Sequence, residues 1–169
     1  MPTTATFKTS EGTIVCELFE TAAPETVANF IALAEGTKEW NSRSKKSPKL
    51  FDGTIFHRVI PEFMIQGGDP EGTGMGGPGY KFADETKGSP HNFKEPGKLA
   101  MANSGPNTNG SQFFMVYRDS QLPPAYTVFG TIDATGLATL DKIAAAGVAG
   151  GGQDGQPATT VTITSVRLG

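Results

Sequence analysis

Apolar and polar residues alternate through ATFKTSEGTIVCELF, residues 5–19, with Ser10, Glu11 and Gly12 as a turn signal in the middle. Alternation places successive side chains on opposite faces of a strand, so this segment predicts two strands joined tightly. In PETVANFIALAEG the period changes, and Val27, Phe30, Ile31 and Ala34 recur every three or four residues. That is the spacing of one helix face, and it predicts a helix from Pro24, with Thr21 as cap and Gly36 as stop. GLATLDKIAAAG repeats the pattern through Leu137, Leu140, Ile143 and Ala144 and ends at Gly147. Short runs rich in Phe and Val predict further strands over 54–60, 63–67, 99–103, 112–117, 128–132 and 161–168. Many short strands with two helices favour a closed or nearly closed antiparallel barrel, because closure removes exposed sheet edges and helices can plug its ends.

Composition narrows the function more than the fold. A chain of 169 residues suits one domain over 1–169. Its 22 glycines and 12 prolines agree with many turns. With Lys+Arg at 14 against Asp+Glu at 17 there is no basic excess for DNA or RNA, so no nucleic-acid partner is expected. No apolar stretch approaches the roughly 18 residues of a membrane span, and MPTTATFKTSEG lacks a basic segment followed by an apolar run. No membrane association is expected, and the expected location is cytoplasmic. Cys16 has no second cysteine to pair with and alternates with Ile14 and Leu18, which predicts a buried structural thiol.

Several motifs mislead. Residues 72–77, GTGMGG, match a dinucleotide-binding pattern, but Pro78 and Gly79 stand where that motif needs a helix to begin. A mobile glycine-shaped surface loop is the expectation, with Asp69, Asp84 and Glu85 as turn and surface residues. Asn109-Gly110-Ser111 matches a glycosylation acceptor but reads as a turn. His57 and His91 lack companions at metal-ligand spacing, so neither a metal nor a cofactor is expected. WNSRSKKSPK, residues 40–49, gathers Arg43, Lys45 and Lys46, and a solvated surface loop is expected there in preference to a docking site for an acidic partner.

The informative chemistry lies in FHRVIPEFMIQGGD and MANSGPNTNGSQFFM, which place one arginine among aromatics, methionines and uncharged amides. Strand alternation puts Gln112 with Phe114 on one face, Phe113 with Met115 on the other, and Met64 beside Gln66. Apolar side chains ringed by amide donors and acceptors suit an extended peptide with one apolar side chain in a pocket. No convincing carboxylate pair, metal cluster or serine-histidine-aspartate set accompanies them, so the chemistry is expected to be non-covalent.

The strings FHRVIPEFMIQGGD, GTGMGGPGYKFADE, LAMANSGPNTNGSQFF and TVFG, with the PETVANF helix, resemble the cyclophilin family of peptidyl-prolyl cis/trans isomerases through nearly the whole chain. The resemblance implies a mainly β fold, a closed eight-stranded antiparallel β-barrel capped by two α-helices. It implies catalytic roles for Arg58, Gln66 and Asn103. Substrate contacts would come from Phe63, Met64, Ala102, Gln112, Phe114, Leu122 and Tyr126, with His57 at the edge. Proline-containing peptides and unfolded or folding proteins would be the partners, and a monomer is expected. Gln121 stands where many relatives carry a tryptophan, and Tyr126 replaces a frequent histidine. That indole lines the pocket and hydrogen-bonds cyclosporin in the relatives, so weak cyclosporin binding with retained isomerase activity is expected. Two other classes compete: a non-catalytic module docking proline-containing segments, and a chaperone-like scaffold acting outside the groove. A pure binder has no need of a cation over the proline nitrogen, so Arg58 favours the enzyme.

Overall fold

The computed structural model describes residues 3–169 apart from Ser44, Lys46, Asp119 and Gln121. Eight strands form: β1 Thr4–Thr9, β2 Gly12–Leu18, β3 Arg58–Ile60, β4 Met64–Gly67, β5 Lys98–Met101, β6 Phe113–Val116, β7 Val128–Ile132 and β8 Ile163–Leu168. Two helices accompany them, α1 Pro24–Glu35 and α2 Ala134–Ala145. The strands make one antiparallel sheet in the order β3-β4-β6-β5-β7-β2-β1-β8. No helix among the described residues is long and apolar enough to cross a membrane.

The expected closed barrel is instead a sheet that curls through 224° and stays open. Its edges, β3 and β8, do not ladder with each other. The gap is spanned by single bridges at Ile55–Thr162 and Val59–Gly155. Across it Gly53 N–H donates to Ile163 O at 2.8 Å, Phe56 N–H to Val161 O at 3.0 Å and Val59 N–H to Gly155 O at 2.7 Å. The strand expected over 54–60 is therefore regular only from Arg58, because its first half spends its hydrogen bonds on this irregular seam.

Both helices start where a carboxylate meets their free N–H groups. At α1 the expected cap Thr21 plays no such part. The Glu85 carboxylate, 59 residues away from Thr26, accepts from Thr26 N at 2.6 Å, Thr26 Oγ1 at 2.6 Å and Glu25 N at 3.2 Å. A negative group there satisfies orphan donors and is attracted to the positive end of the helix dipole. Glu85 is thus a capping group rather than the surface residue expected of it. Helix α2 begins ahead of the predicted Gly136 because the Asp133 side chain accepts from Gly136 N at 2.7 Å.

Strand alternation divides the apolar residues between two clusters. Phe113 and Met115 of β6 and Ile65 of β4 join the larger cluster with Phe7, Phe30 and Phe51. Phe114 and Val116 of β6 and Met64 of β4 join a smaller one with Phe93, Ala100 and Val128. The sheet is therefore covered on both faces here, and all four residues of β6 are buried. Cys16 is buried as expected, and burial, with the Asp133 charge adding to it, pushes its thiol pKa far up. Asn109 and Ser111 are buried as well, which removes the acceptor motif from any glycosylating enzyme. In the 37–52 loop Trp40 is buried, donates from Nε1 to Pro48 O at 2.8 Å and carries Lys45 over its ring at 4.9 Å. Arg43 and Lys45 are exposed, and Lys46 lies outside the described residues.

Phe113 has rings on four sides, with centroids of Phe7, Phe51, Phe30 and Phe56 at 5.5, 5.7, 6.2 and 6.2 Å. Phe113→Ala is predicted to cost about 3 to 5 kcal/mol. Urea unfolding should show this as a lower midpoint at an unchanged slope.

Candidate functional site

The register of three adjacent strands brings the polar part of the site together. Arg58 of β3 pairs with Gln66 of β4, and Gln66 pairs with Phe114 of β6. From Arg58 a hydrogen-bonded relay runs across these strands. Arg58 Nη1 donates to Gln66 Oε1 at 3.3 Å, Gln66 Nε2 donates to Gln112 Oε1 at 2.9 Å, and Gln112 Nε2 donates to the carbonyls of Gly74 and Gly76, both at 2.9 Å. Both hydrogens of the Gln112 amide are thereby engaged. On its other side the guanidinium grips Asp154, Nε to Oδ1 at 2.9 Å and Nη2 to Oδ2 at 2.8 Å. This hydrogen-bonded pair raises the Arg58 pKa and holds the Asp154 carboxyl below its usual range. Sequence reasoning missed Asp154, a lone carboxylate in a glycine-rich stretch 96 residues from its partner.

The glycine loop is pinned where mobility was expected. Asp69, expected at the surface, is fully buried and is the group that pins it. Its carboxylate accepts from the backbone N–H groups of Glu71, Thr73, Gly74 and Gly76 at 2.7 to 3.1 Å. Burial alone would raise the Asp69 pKa. The four backbone donors outweigh burial and hold it below the usual carboxylate range. Gly76 is required here, since a Cβ would sit 2.2 Å from Asp69 Oδ1. His57 lies behind the loop, only 7 % exposed. Burial pushes its pKa down, with the Arg58 charge adding to this against Asp69 and the Gln112 amide.

Arg58, Gln66, Ala102, Asn103 and Gln112 line one open cavity of about 830 Å³ together with the loop from Gly74 to Lys81. Phe63, Ala102, Leu122 and Tyr126 pack, partly buried, against the smaller cluster that holds Met64 and Phe114. Ala102 thus belongs to both the polar cavity and the apolar patch. Phe114 stacks on Phe93 at 5.8 Å and meets Tyr126 edge-on at 5.3 Å, which sets its ring plane. Phe93 had no distinguishing signal, being one phenylalanine in a turn-rich segment. Asn103 donates from Nδ2 to Ala125 O at 3.0 Å and accepts from Gly105 N at 3.2 Å, tying the turn after β5 to the 122–126 loop. Gln121 lies outside the described residues. His91 stacks on Phe19 at 3.7 Å, away from this constellation. Among the described residues no three of His, Cys, Asp or Glu gather as metal ligands.

The family model described as cyclophilin type peptidyl-prolyl cis-trans isomerase/CLD matches residues 4–168. The chain belongs to the cyclophilin family. It is 52% identical to the protein named "Probable peptidyl-prolyl cis-trans isomerase B" of Mycobacterium tuberculosis over 95% of this chain and 52% of that one. It therefore spans about half the length of that relative. With peptidyl-prolyl cis-trans isomerase A of the same organism it shares 47% identity over 95% of this chain and 91% of the other. Among solved structures, a Cryptosporidium parvum cyclophilin type isomerase crystallised in the presence of the dipeptide Ala-Pro superposes with a TM-score of 0.80 at 32% identity, covering 98% of both chains.

In this cyclophilin Asp69 and His57 give the same sign of pH dependence. Each has a folded pKa below its unfolded value, so each contributes stability that is present above the unfolded value and lost as pH falls through the folded one. Asp69→Asn should cost about 1.5 to 3 kcal/mol at pH 7, because an amide turns donors toward donors. Urea titrations should show that deficit shrinking below about pH 4, as the wild-type carboxylate protonates.

Proposed function

We propose that this chain is a peptidyl-prolyl cis/trans isomerase, one domain over 1–169, that turns X-Pro bonds in peptides and in folding proteins. The observation that carries the reading is an arginine held from two sides beside an aromatic-floored apolar patch. No covalent bond is made or broken in this reaction, so it needs neither nucleophile nor cofactor. What opposes it is amide resonance, a barrier of about 18 to 20 kcal/mol, crossed unaided in tens of seconds or more. Turnover at roughly 10 to 1,000 per second requires removing about 4 to 7 kcal/mol, and ground-state binding alone would not remove it.

In the planar imide the proline nitrogen lone pair is delocalised and accepts hydrogen bonds poorly. In the twisted transition state it is localised and accepts well. Arg58 donates to it there, a charge-assisted bond worth about 1.5 to 3 kcal/mol that the ground state does not receive. Phe63, Met64, Phe114 and Leu122 receive the proline ring and fix one side of the bond, with Tyr126 bracing Phe114. Gln66 and Asn103 hold the peptide backbone on the other side, within the cavity walled by Ala102. Gln112 acts at the cavity wall, bracing Gln66 and the glycine loop, and His57 supports that loop from behind. One chain supplies every group named here, so the reading takes the enzyme to work as a monomer, and it keeps the cytoplasm as its place of action.

The test is turnover of an Ala-Pro peptide. Arg58→Ala should lower kcat/KM by about 100-fold with the melting temperature nearly unchanged, because the half-exposed Arg58–Asp154 pair adds little stability. Arg58→Lys should recover little, lacking the planar fork. Equal losses of activity and stability in Arg58→Ala would overturn the assignment. With Gln121 in place of the indole, cyclosporin should inhibit weakly, and tight inhibition in a titration would contradict that part of the reading.

A further inference from the structure

Of the five N–H donors on a guanidinium, Arg58 gives two to Asp154 and one to Gln66. The Asp154 fork is side-on, through Nε and Nη2, and together with the Gln66 bond it leaves two donors for a ligand, one on Nη1 and one on Nη2. A second observation places the carboxylate in register with the arginine. Gly155, the next residue, exchanges two backbone hydrogen bonds with Val59, the residue after Arg58, at 2.7 and 3.3 Å. The 147–158 segment is in turn clamped at its base by a Val148–Pro157 bridge and by Ala158 N–H to Gly147 O at 2.9 Å. The seam that leaves the sheet open therefore delivers Asp154 to Arg58 at a fixed position.

We propose that Asp154 is a positioning residue for isomerisation: its bidentate grip fixes the plane of the Arg58 guanidinium and with it the direction of the remaining donors toward the proline nitrogen. The inference rests on the role of Arg58 proposed above. Without the grip, a long flexible side chain retains one anchor, the 3.3 Å bond to Gln66, and must be ordered anew in each transition state. The pair is half exposed, with side chains 43% and 48% accessible, so its contribution to folding is small and its removal leaves the fold intact.

Three variants test this on the Ala-Pro peptide, with melting temperature measured alongside. Asp154→Ala should lower kcat/KM about tenfold, chiefly through kcat, at an unchanged melting temperature. Asp154→Asn, which keeps one acceptor, should fall between Asp154→Ala and wild type. In an Arg58→Ala background, Asp154→Ala should cause no further loss, a result that a merely structural role would not produce. Activity of Asp154→Ala within twofold of wild type, a loss confined to KM, or the same loss in both backgrounds would overturn the proposal. Failure of the underlying reading looks different: Arg58→Ala alone would then retain full activity.

Discussion

Registration of β3, β4 and β6 is the constraint on which the remainder of the site depends. It sets Arg58 opposite Gln66 and Gln66 opposite Phe114. A slip of one residue between any two of these strands would turn Arg58 or Gln66 toward the larger apolar cluster and bring Val59 or Ile65 to the cavity. The penalty for burying an arginine that way is far larger than any gain on offer, so the packing of Phe113 and its ring neighbours protects the register of the polar groups. Core and site are in this sense one structure seen from the two faces of the same strands.

Two carboxylates complete what the strands begin, and they differ in kind. Asp69 is fully buried and saturated by backbone donors, which makes it a structural anchor for the glycine loop. Asp154 is half exposed and bound to a single side chain, which makes it nearly irrelevant to folding and influential on where a cation points. Between them lies a relay of amides from Arg58 to the loop.

Local pattern made the strands, both helices and the grouping of Arg58, Gln66, Asn103 and Gln112 legible, because alternation and helical period are written within a dozen residues. The partly exposed aromatics followed from the cyclophilin resemblance. What escaped was non-local. Glu85 caps α1 from 59 residues away, Asp154 grips Arg58 from 96, and neither partnership leaves a mark on the intervening spacing. Asp69 looked like a turn residue and is one, but its burial depends on the loop folding back over it. Closure of the barrel was inferred from the general cost of sheet edges. Single bridges along 53–59 and 155–163 reduce that cost without a ladder.

The central claim is that the groove accelerates rotation and does not merely hold proline. Exchange NMR on an Ala-Pro peptide at saturating protein tests it most directly, since binding and cis/trans exchange are read from one sample. The account predicts exchange faster than about 10 per second on the bound peptide, against tens of seconds when free. A peptide that binds with shifted signals while its isomers exchange no faster than in buffer would contradict it and leave a recognition module in place of an enzyme.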